Sequence, residues 1–263
     1  LAVRVRYEGF SMKTITWISA ALLIVATSSM ADVKETEEMT FEVKPGARIS
    51  VENINGDIRV TGGGERVKVL AHKKAEEQED LDKLKVVVDA SEDYVRIETR
   101  HPKQESRWFN WGDGDSGSVS YELTVPADVV LDAIETVNGD VRIEKISGTV
   151  KAGTVNGGLE ITNLVGDVHL ETVNGSIEAE FDKLDGDQRV DAETVNGKIV
   201  LRVPASSSAR VTAETVNGSI DADDFGLEPE KGFVGRDLSG EIGQGDARIS
   251  LDTVNGSIRL NKK

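Results

Sequence analysis

The tetrapeptide Thr-Val-Asn-Gly recurs along the chain and constrains the fold more than any other feature. The asparagines of its six copies are separated by 18, 18, 22, 21 and 38 residues, and a variant, Asn-Ile-Asn-Gly, occupies 53–56. A unit of this length holds two short strands with their turns, and a fixed period of this kind is typical of solenoid proteins. The six copies occupy 136–139, 154–157, 172–175, 194–197, 215–218 and 253–256.

Hydrophobic alternation accompanies every copy of the motif. The residues two and four positions after each glycine are aliphatic, while most residues between them are polar. A second alternating run precedes most copies, as at Val168 and Leu170. A period of two marks a strand with one buried face, so each unit offers two core-facing strands. The aliphatic pairs after the glycines are Val141 and Ile143, Leu159 and Ile161, Ile177 and Ala179, Ile199 and Leu201, Ile220 and Ala222, and Ile258 and Leu260.

Two architectures are compatible with this repeat, because Asn-Gly is also a strong hairpin-turn signal and would suit an antiparallel β-sandwich. The strictly spaced units carry a second glycine in mid-unit, at Gly148, Gly166 and Gly186, and their aliphatic residues lie at matching offsets. Matching offsets allow like residues to stack between neighbouring coils. The sequence therefore favours an all-β fold, a parallel β-solenoid (β-helix) with coils of 18–22 residues. We expect an antiparallel cap within 62–126 and a looped insertion at 225–245.

The asparagine of the motif is predicted to build a structural ladder at the turn. Asparagine tolerates the left-handed backbone region, glycine accepts positive φ, and an inward-pointing amide can donate to and accept from its equivalent one coil away. This conformational requirement explains every copy without a ligand. The ladder is predicted to contain Asn55, Asn138, Asn156, Asn174, Asn196, Asn217 and Asn255.

Acidic residues occupy the position three before each motif asparagine, with one exception at Gly153. In a parallel stack they would form a column of like charges, which invites a cation, a basic neighbour or raised pKa values. Two interpretations stay open: a solvated acidic face that prevents aggregation, or a Ca²⁺ stripe, the one cofactor that the sequence suggests. The column contains Glu52, Glu135, Glu171, Glu193, Glu214 and Asp252, and the Ca²⁺ stripe would use the last four.

An aromatic cluster, Trp108, Phe109 and Trp111, lies in a polar stretch between two strand-like runs. Exposed aromatic side chains suit stacking on a sugar ring or docking into a partner. The competing interpretation is that they pack against the open end of the solenoid. We expect these three residues to bind a ligand, and the predicted partner is a glycan or an envelope protein.

Residues 12–31 have the pattern of a secretory signal peptide, with Lys13 at its start, an apolar stretch over 18–26 and a small-residue cleavage site that ends at Ala31. Residues 1–11 are interpreted as an over-extended gene start, which leaves 32–263 as a single solenoid domain. The apolar stretch is shorter than the ~20 residues that a membrane span needs, so we expect no stable membrane insertion after cleavage. The predicted location is the periplasm or the cell surface.

Charge and composition narrow the classes of function. The chain has 31 Lys and Arg against 47 Asp and Glu, a net charge of −16, which argues against nucleic acid as a partner. It has no cysteine, and it contains no nucleophile-elbow or phosphate-loop motif. We therefore expect a non-catalytic binding or structural module rather than an enzyme. The alternatives are a polysaccharide-active β-solenoid enzyme and a self-assembling envelope scaffold; the oligomeric state stays open.

Several segments together resemble a known bacterial family of β-strand-repeat domains of unknown function, provisionally named as adhesins. They are the opening Phe-Glu-Val-Lys-Pro-Gly at 41–46, the strand-turn-strand at 49–60, Tyr-Glu-Leu-Thr-Val-Pro at 121–126, the serial Thr-Val-Asn-Gly turns and the closing stretch 245–260. The resemblance covers 41–260. It implies a right-handed β-solenoid in the cell envelope, and it brings no catalytic residues to carry over.

Overall fold

The computed structural model describes residues 2–3, 22–23, 32–100, 117–232 and 234–263, and nearly all of its regular structure is β-strand. The strands before the first exact motif are β1 (Ala2–Val3), β2 (Leu22–Leu23), β3 (Val33–Phe41), β4 (Arg48–Glu52), β5 (Ile58–Gly62), β6 (Val67–Ala75), β7 (Lys85–Ala90), β8 (Tyr94–Arg100) and β9 (Gly117–Val125), with one helix, α1 (Gln78–Lys83), between β6 and β7.

The remaining strands belong to two long sheets, which we call sheet A and sheet B. They are β10 (Val130–Asn138), β11 (Val141–Glu144), β12 (Val150–Asn156), β13 (Leu159–Leu164), β14 (Val168–Asn174), β15 (Ile177–Phe181), β16 (Arg189–Asn196), β17 (Ile199–Val203), β18 (Ala209–Asn217), β19 (Ile220–Asp221), β20 (Glu230–Lys231), β21 (Arg236–Ile242), β22 (Ala247–Asn255) and β23 (Ile258–Lys262). A 3-10 helix spans Asp223–Phe225.

Each motif forms the corner at which the chain passes from sheet A to sheet B. β14, for example, ends at Asn174, and β15 begins in the other sheet at Ile177. Equivalent strands of successive coils pair in parallel, so that Thr172 lies opposite Thr154 on one side and Thr194 on the other. The predicted parallel β-solenoid is confirmed, and the antiparallel sandwich alternative is wrong, because neighbouring motif corners stack instead of lying at opposite edges.

The spatial order of the coils departs from the chain order at both ends. The coil of β4 and β5 lies between the coil of β8 and β9 and the coil of β10 and β11. At the other end, β22 pairs with both β16 and β18, and β23 pairs with both β17 and β19. The first and the last coil in the chain are therefore each inserted between two other coils.

Antiparallel strands cover both sheets at one end of the stack and sheet A at the other. β6 pairs antiparallel with β9 and with β3, while β7 pairs antiparallel with β8. β8 and β9 also pair in parallel with β4 and β5, so they form a coil of the solenoid as well as the base of this cap. At the opposite end β21 pairs antiparallel with β18. Covering matters because an exposed strand edge can pair with another chain.

The core consists of aliphatic columns that run from coil to coil. On sheet B the column of Val141, Leu159, Ile177 and Ile199 is at most 1% exposed. Each such side chain contributes about 1.5–3 kcal/mol by its removal from water. Stacked identical positions thus supply a continuous thin core, as the period-two alternation predicted.

Two hydrogen-bond ladders join the corners. The seven motif asparagines are linked by six bonds in which each Nδ2 donates to the neighbouring Oδ1, at distances of 2.7–3.0 Å. These amides lie at the surface rather than inward, and their φ angles are not positive. The inward residue is the motif threonine, whose hydroxyl donates to a glycine carbonyl one coil away, as Thr172 does to Gly157 at 3.0 Å.

The motif glycines form a third column, which we call the glycine file. A Cβ atom placed on Gly175 would overlap the carbonyl oxygen of Gly157, and the same overlap recurs at Gly157, Gly197, Gly256 and Gly218. None of these five has a φ in the left-handed region, although Gly139 and Gly56 at one end do. Close backbone approach, rather than the positive φ that the sequence suggested, is the main reason for glycine at these corners.

We expect Gly175→Ala to destabilise the protein by about 3 kcal/mol, because the added methyl must push neighbouring backbones apart. Gly153→Ala is the matched control: a Cβ there meets nothing closer than 3.6 Å. We expect that variant to change the free energy of unfolding by less than about 1 kcal/mol. Urea unfolding followed by circular dichroism measures both, and equal losses would contradict the role given to the glycine file.

Asn174→Asp tests the amide ladder, because Asn174 donates to Asn156 at 3.0 Å and accepts from Asn196 at 2.9 Å. The new carboxyl can donate to Asn156 only when protonated, so folding raises its pKa above the usual ~3.9. A raised folded-state pKa gives a stability contribution that is present at low pH and lost as the pH rises through that pKa.

We therefore expect Asn174→Asp to match the wild type at about pH 3 and to be about 1 kcal/mol less stable at about pH 7. Urea midpoints across this range measure the difference. Asn174→Ala, which has no titrating group, should lose a pH-independent amount. A pH-independent loss in both variants would remove the amide ladder as the cause.

Candidate functional site

A groove of about 900 Å³ runs along the outer face of sheet A beside the motif corners. Consecutive residues of the sequence Glu-Thr-Val line it at most levels, as Glu171, Thr172 and Val173 do in β14. Side chains alternate along a strand, so glutamate and valine point outward while threonine points into the core. The groove thus has an acidic wall, a floor of backbone and threonine, and an aliphatic wall.

The acidic wall is a single column of carboxylates, which we call the acid file. Glu171 lies opposite Glu193, and Glu193 lies opposite Asp252, which precedes Glu214 in space because the last coil is inserted. Gly153 leaves one level without a carboxylate. In spatial order the acid file contains Glu98, Glu52, Glu135, the gap at Gly153, Glu171, Glu193, Asp252, Glu214 and Asp237.

Two members of the acid file, Glu98 and Asp237, were not predicted from the sequence. Glu98 is followed by Thr99, so two residues of the Glu-Thr-Val pattern remain in β8 and could have been recognised. Asp237 lies on the antiparallel strand β21, opposite Glu214. A strand that runs against the repeat carries no residue at the repeat's spacing, so no sequence signal could have placed Asp237.

Basic partners neutralise the acid file mainly at one end. Arg96 donates to Glu52 at 2.6 Å, and the Arg100 guanidinium holds the pKa of Glu98 below its usual range. Burial raises the pKa of Asp252, and the nearby Asp191 charge adds to this effect. In the middle of the acid file, His169 Nε2 lies 2.7 Å from Glu171 Oε1. Among the residues that the structure describes, no ion pair joins Glu135, Glu193 or Glu214 to a basic side chain, so the acid file keeps its negative field at these three levels.

The aliphatic wall is a column of seven residues from the second motif position, which we call the valine file. Each side chain is 37–43% exposed, unlike the buried threonine that precedes it in the exact motif copies. Scattered exposed aliphatic residues are ordinary, but a contiguous row is typical of a binding surface. In spatial order the valine file contains Ile54, Val137, Val155, Val173, Val195, Val254 and Val216.

The predicted Ca²⁺ stripe has no geometric support in the described part of the chain. Glu171, Glu193, Asp252 and Glu214 occupy successive levels, as the repeat implied. However, no group of three or more His, Cys, Asp or Glu side chains within residues 32–100, 117–232 and 234–263 is placed to hold a metal ion. One carboxylate per level, spaced by the coil, makes a line instead of a cage.

The aromatic cluster of Trp108, Phe109 and Trp111 lies outside the described residues, as does the segment 12–31 apart from 22–23. β8 supplies Glu98 and Thr99 to one end of the groove, and the undescribed segment begins directly after β8. Among the described helices, none has the length and apolar character that a membrane span requires.

Several solved structures are similar to this chain, among them the following three. A "putative cell adhesion protein" from Clostridium sporogenes is 14% identical, with a TM-score of 0.44, and covers 87% of this chain and 100% of its own. A "putative adhesin" from Bacteroides fragilis is 14% identical, with a TM-score of 0.44 and coverages of 86% and 96%. A "putative lipid binding protein" from Parabacteroides distasonis is 13% identical, with a TM-score of 0.34 and the same coverages. Similarity of this degree carries no argument about function.

No curated protein matches the chain. One family model does, over residues 46–261, which include all seven motif corners and both ends of the coil stack. That range agrees with the stretch 41–260 over which the sequence resembled a β-strand-repeat family. The chain belongs to the Toastrack DUF4097 family.

Proposed function

We propose that this protein is an exported, non-catalytic binding module whose groove holds a positively charged polypeptide segment with aliphatic side chains. The observation that carries the proposal is the parallel course of the acid file and the valine file. A ligand that lies along the groove meets a carboxylate on one side and an aliphatic side chain on the other at most levels. No single residue makes the site, since it arises from repetition.

Charge selects the sign of the partner. The chain carries a net charge of −16, and the carboxylates of Glu135, Glu193 and Glu214, which have no basic partner among the described residues, concentrate negative potential along the groove. Such a field attracts cations and repels nucleic acid and anionic lipid. It also disfavours a second copy of this chain as the occupant, because the two acid files would then face each other.

The valine file favours a polypeptide over a glycan. Sugar rings are usually bound by stacking on aromatic side chains. None of the described residues that line the groove is aromatic. Valine offers an aliphatic surface that suits leucine, isoleucine or valine side chains of a partner. The aromatic cluster of Trp108, Phe109 and Trp111 remains a separate prediction of ligand contact, which the same binding assay can test with Trp108→Ala and Trp111→Ala.

Groove variants test the proposal with a fluorescent peptide made only of lysine and leucine as the probe. We expect Glu171→Gln with Glu193→Gln to weaken binding about 5-fold or more, because two attractive charges are lost. The matched control, Glu122→Gln with Glu160→Gln, removes two exposed carboxylates from sheet B and should bind as the wild type does. Fluorescence anisotropy measures the affinities.

Gly153→Glu supplies the carboxylate that the acid file lacks, and the space there permits it. We expect this variant to bind the peptide about 2- to 3-fold more tightly, as one added exposed ion pair would. If sheet B variants weaken binding as much as groove variants, or if Gly153→Glu has no effect, general negative charge rather than the groove attracts the peptide, and the proposal fails.

Export has its own test. We expect a cell that produces the chain from Met12 to release it from the periplasmic fraction with Asp32 as its first residue, because cleavage follows Ala31. Mass spectrometry of the purified protein measures the start. Lys13→Glu with Leu22→Arg, which disrupts the signal pattern, should keep the precursor in the cytoplasm. An unprocessed chain in the cytoplasm without these changes would contradict export.

A further inference from the structure

We propose that the occupant of the groove is an α-helix of a partner protein, which lies along the solenoid axis. An apolar stripe of the helix packs on the valine file, and lysine or arginine residues beside that stripe face the acid file. This inference rests on the proposed function and goes beyond it by assigning the ligand a secondary structure. It follows from the spacing of the levels.

Successive levels of the groove are separated by the spacing of neighbouring strands, about 4.8 Å. An α-helix advances 5.4 Å with each turn, so one helical turn corresponds closely to one level. The valine file has seven levels, from Ile54 to Val216. It therefore extends about 29 Å, the length of a helix of about 19 residues.

Other polypeptide conformations match the levels less well. An extended strand places side chains on one face every ~6.8 Å, twice its rise per residue, and falls out of step after one or two levels. A polyproline II helix returns to the same face every ~9.3 Å and would contact only alternate levels. The α-helix comes closest to one contact per level: over the six intervals of the valine file it makes about 5.3 turns, so it brings apolar side chains to most of the valines while it stays continuous.

The lateral arrangement also suits a helix with one basic flank. At a given level the acidic residue and the aliphatic residue are two positions apart on one strand face, as Glu193 and Val195 are, or about 7 Å. A helix centred over the valine file has the next residues around its circumference above the acid file. Lysine and arginine bury their stems on apolar surface and extend their charged groups, so they bridge this distance.

The hydrogen-bonding groups of the floor between the two files are already paired within the protein, so a bound helix does not have to satisfy them. Each threonine hydroxyl of the floor already donates to a glycine carbonyl, as Thr194 does to Gly175 at 3.0 Å. The sheet backbone of these strands is paired in parallel on both sides. A helix satisfies its own backbone groups internally, whereas an extended peptide would bring unpaired amides to a surface that cannot pair them. This difference favours the helix.

Four probes of similar length and charge distinguish the possibilities. The first is a 20-residue peptide with leucines along one helical face and lysines on one flank. The second has the same composition in an order that gives no apolar face, and the third carries two central prolines that prevent a continuous helix. The fourth is a cationic amino-sugar polymer, which tests a glycan ligand.

We expect the first peptide to bind at least 10-fold more tightly than the other three. Its helix signal at 222 nm, taken as the difference from the protein alone, should rise on binding. Val173→Thr with Val195→Thr keeps the side-chain shape and replaces one methyl of each valine by a hydroxyl; this pair should reduce the preference for the first peptide at least 3-fold. Because these positions are exposed, the thermal midpoint of the variant should equal that of the wild type.

The outcomes separate the two proposals. If the shuffled or proline peptide binds as tightly as the first and Glu171→Gln with Glu193→Gln weakens all of them, the groove binds cations and the helix is wrong. Tightest binding of the amino-sugar polymer also overturns the helix. If no probe responds to the groove variants, both the helix and the proposed function fail.

Discussion

Close approach of backbone to backbone at the motif corners is the constraint on which the rest of the structure depends. Because each motif glycine lies against a carbonyl of the next coil, the corners can stack only where side chains are absent. This stacking sets a common level for all residues at equal distance from the corner. The amide ladder, the threonine ladder, the acid file and the valine file all inherit their alignment from it.

Each residue of Thr-Val-Asn-Gly thus has a different task. Glycine permits contact, threonine closes a buried hydrogen bond, and asparagine links the coils at the surface. Valine has no comparable structural duty, since its side chain is exposed in every copy. A branched side chain does favour the strand conformation, but polar threonine would serve that purpose equally well. The repeated choice of an aliphatic residue is therefore the part of the motif that points to binding.

Much of the fold could be predicted from the sequence, because a period specifies which residues become neighbours. The stacking of Glu171 on Glu193, and of Asn156 on Asn174, followed from counting residues between motifs. The surface position of the amides did not, since the choice between asparagine and threonine as the inward residue depends on which side chain reaches the core. A repeat period gives the spacing of equivalent residues, but it does not determine which side chain at a corner points into the core.

For a similar reason, only part of the candidate site could be predicted from the sequence. The acidic positions were recognised as a column, but Val173 and its equivalents were assigned to a turn rather than to a wall. The insertion of the coil containing Asp252 between those of Glu193 and Glu214 was also missed. Insertion depends on long-range strand pairing, which leaves no local pattern. Sequence reasoning therefore ordered this column by chain position.

The insertion of the first and last coils bears on how the molecule resists being opened. β22 has a hydrogen-bonded strand on each side, and so does β4 at the other end. In a simple stack the last coil has one neighbour and can peel away at low cost. Here a force applied at Lys263 must separate β22 and β23 from two flanking coils at once. The last coil is therefore held on both sides, and the stack resists unfolding coil by coil from this end.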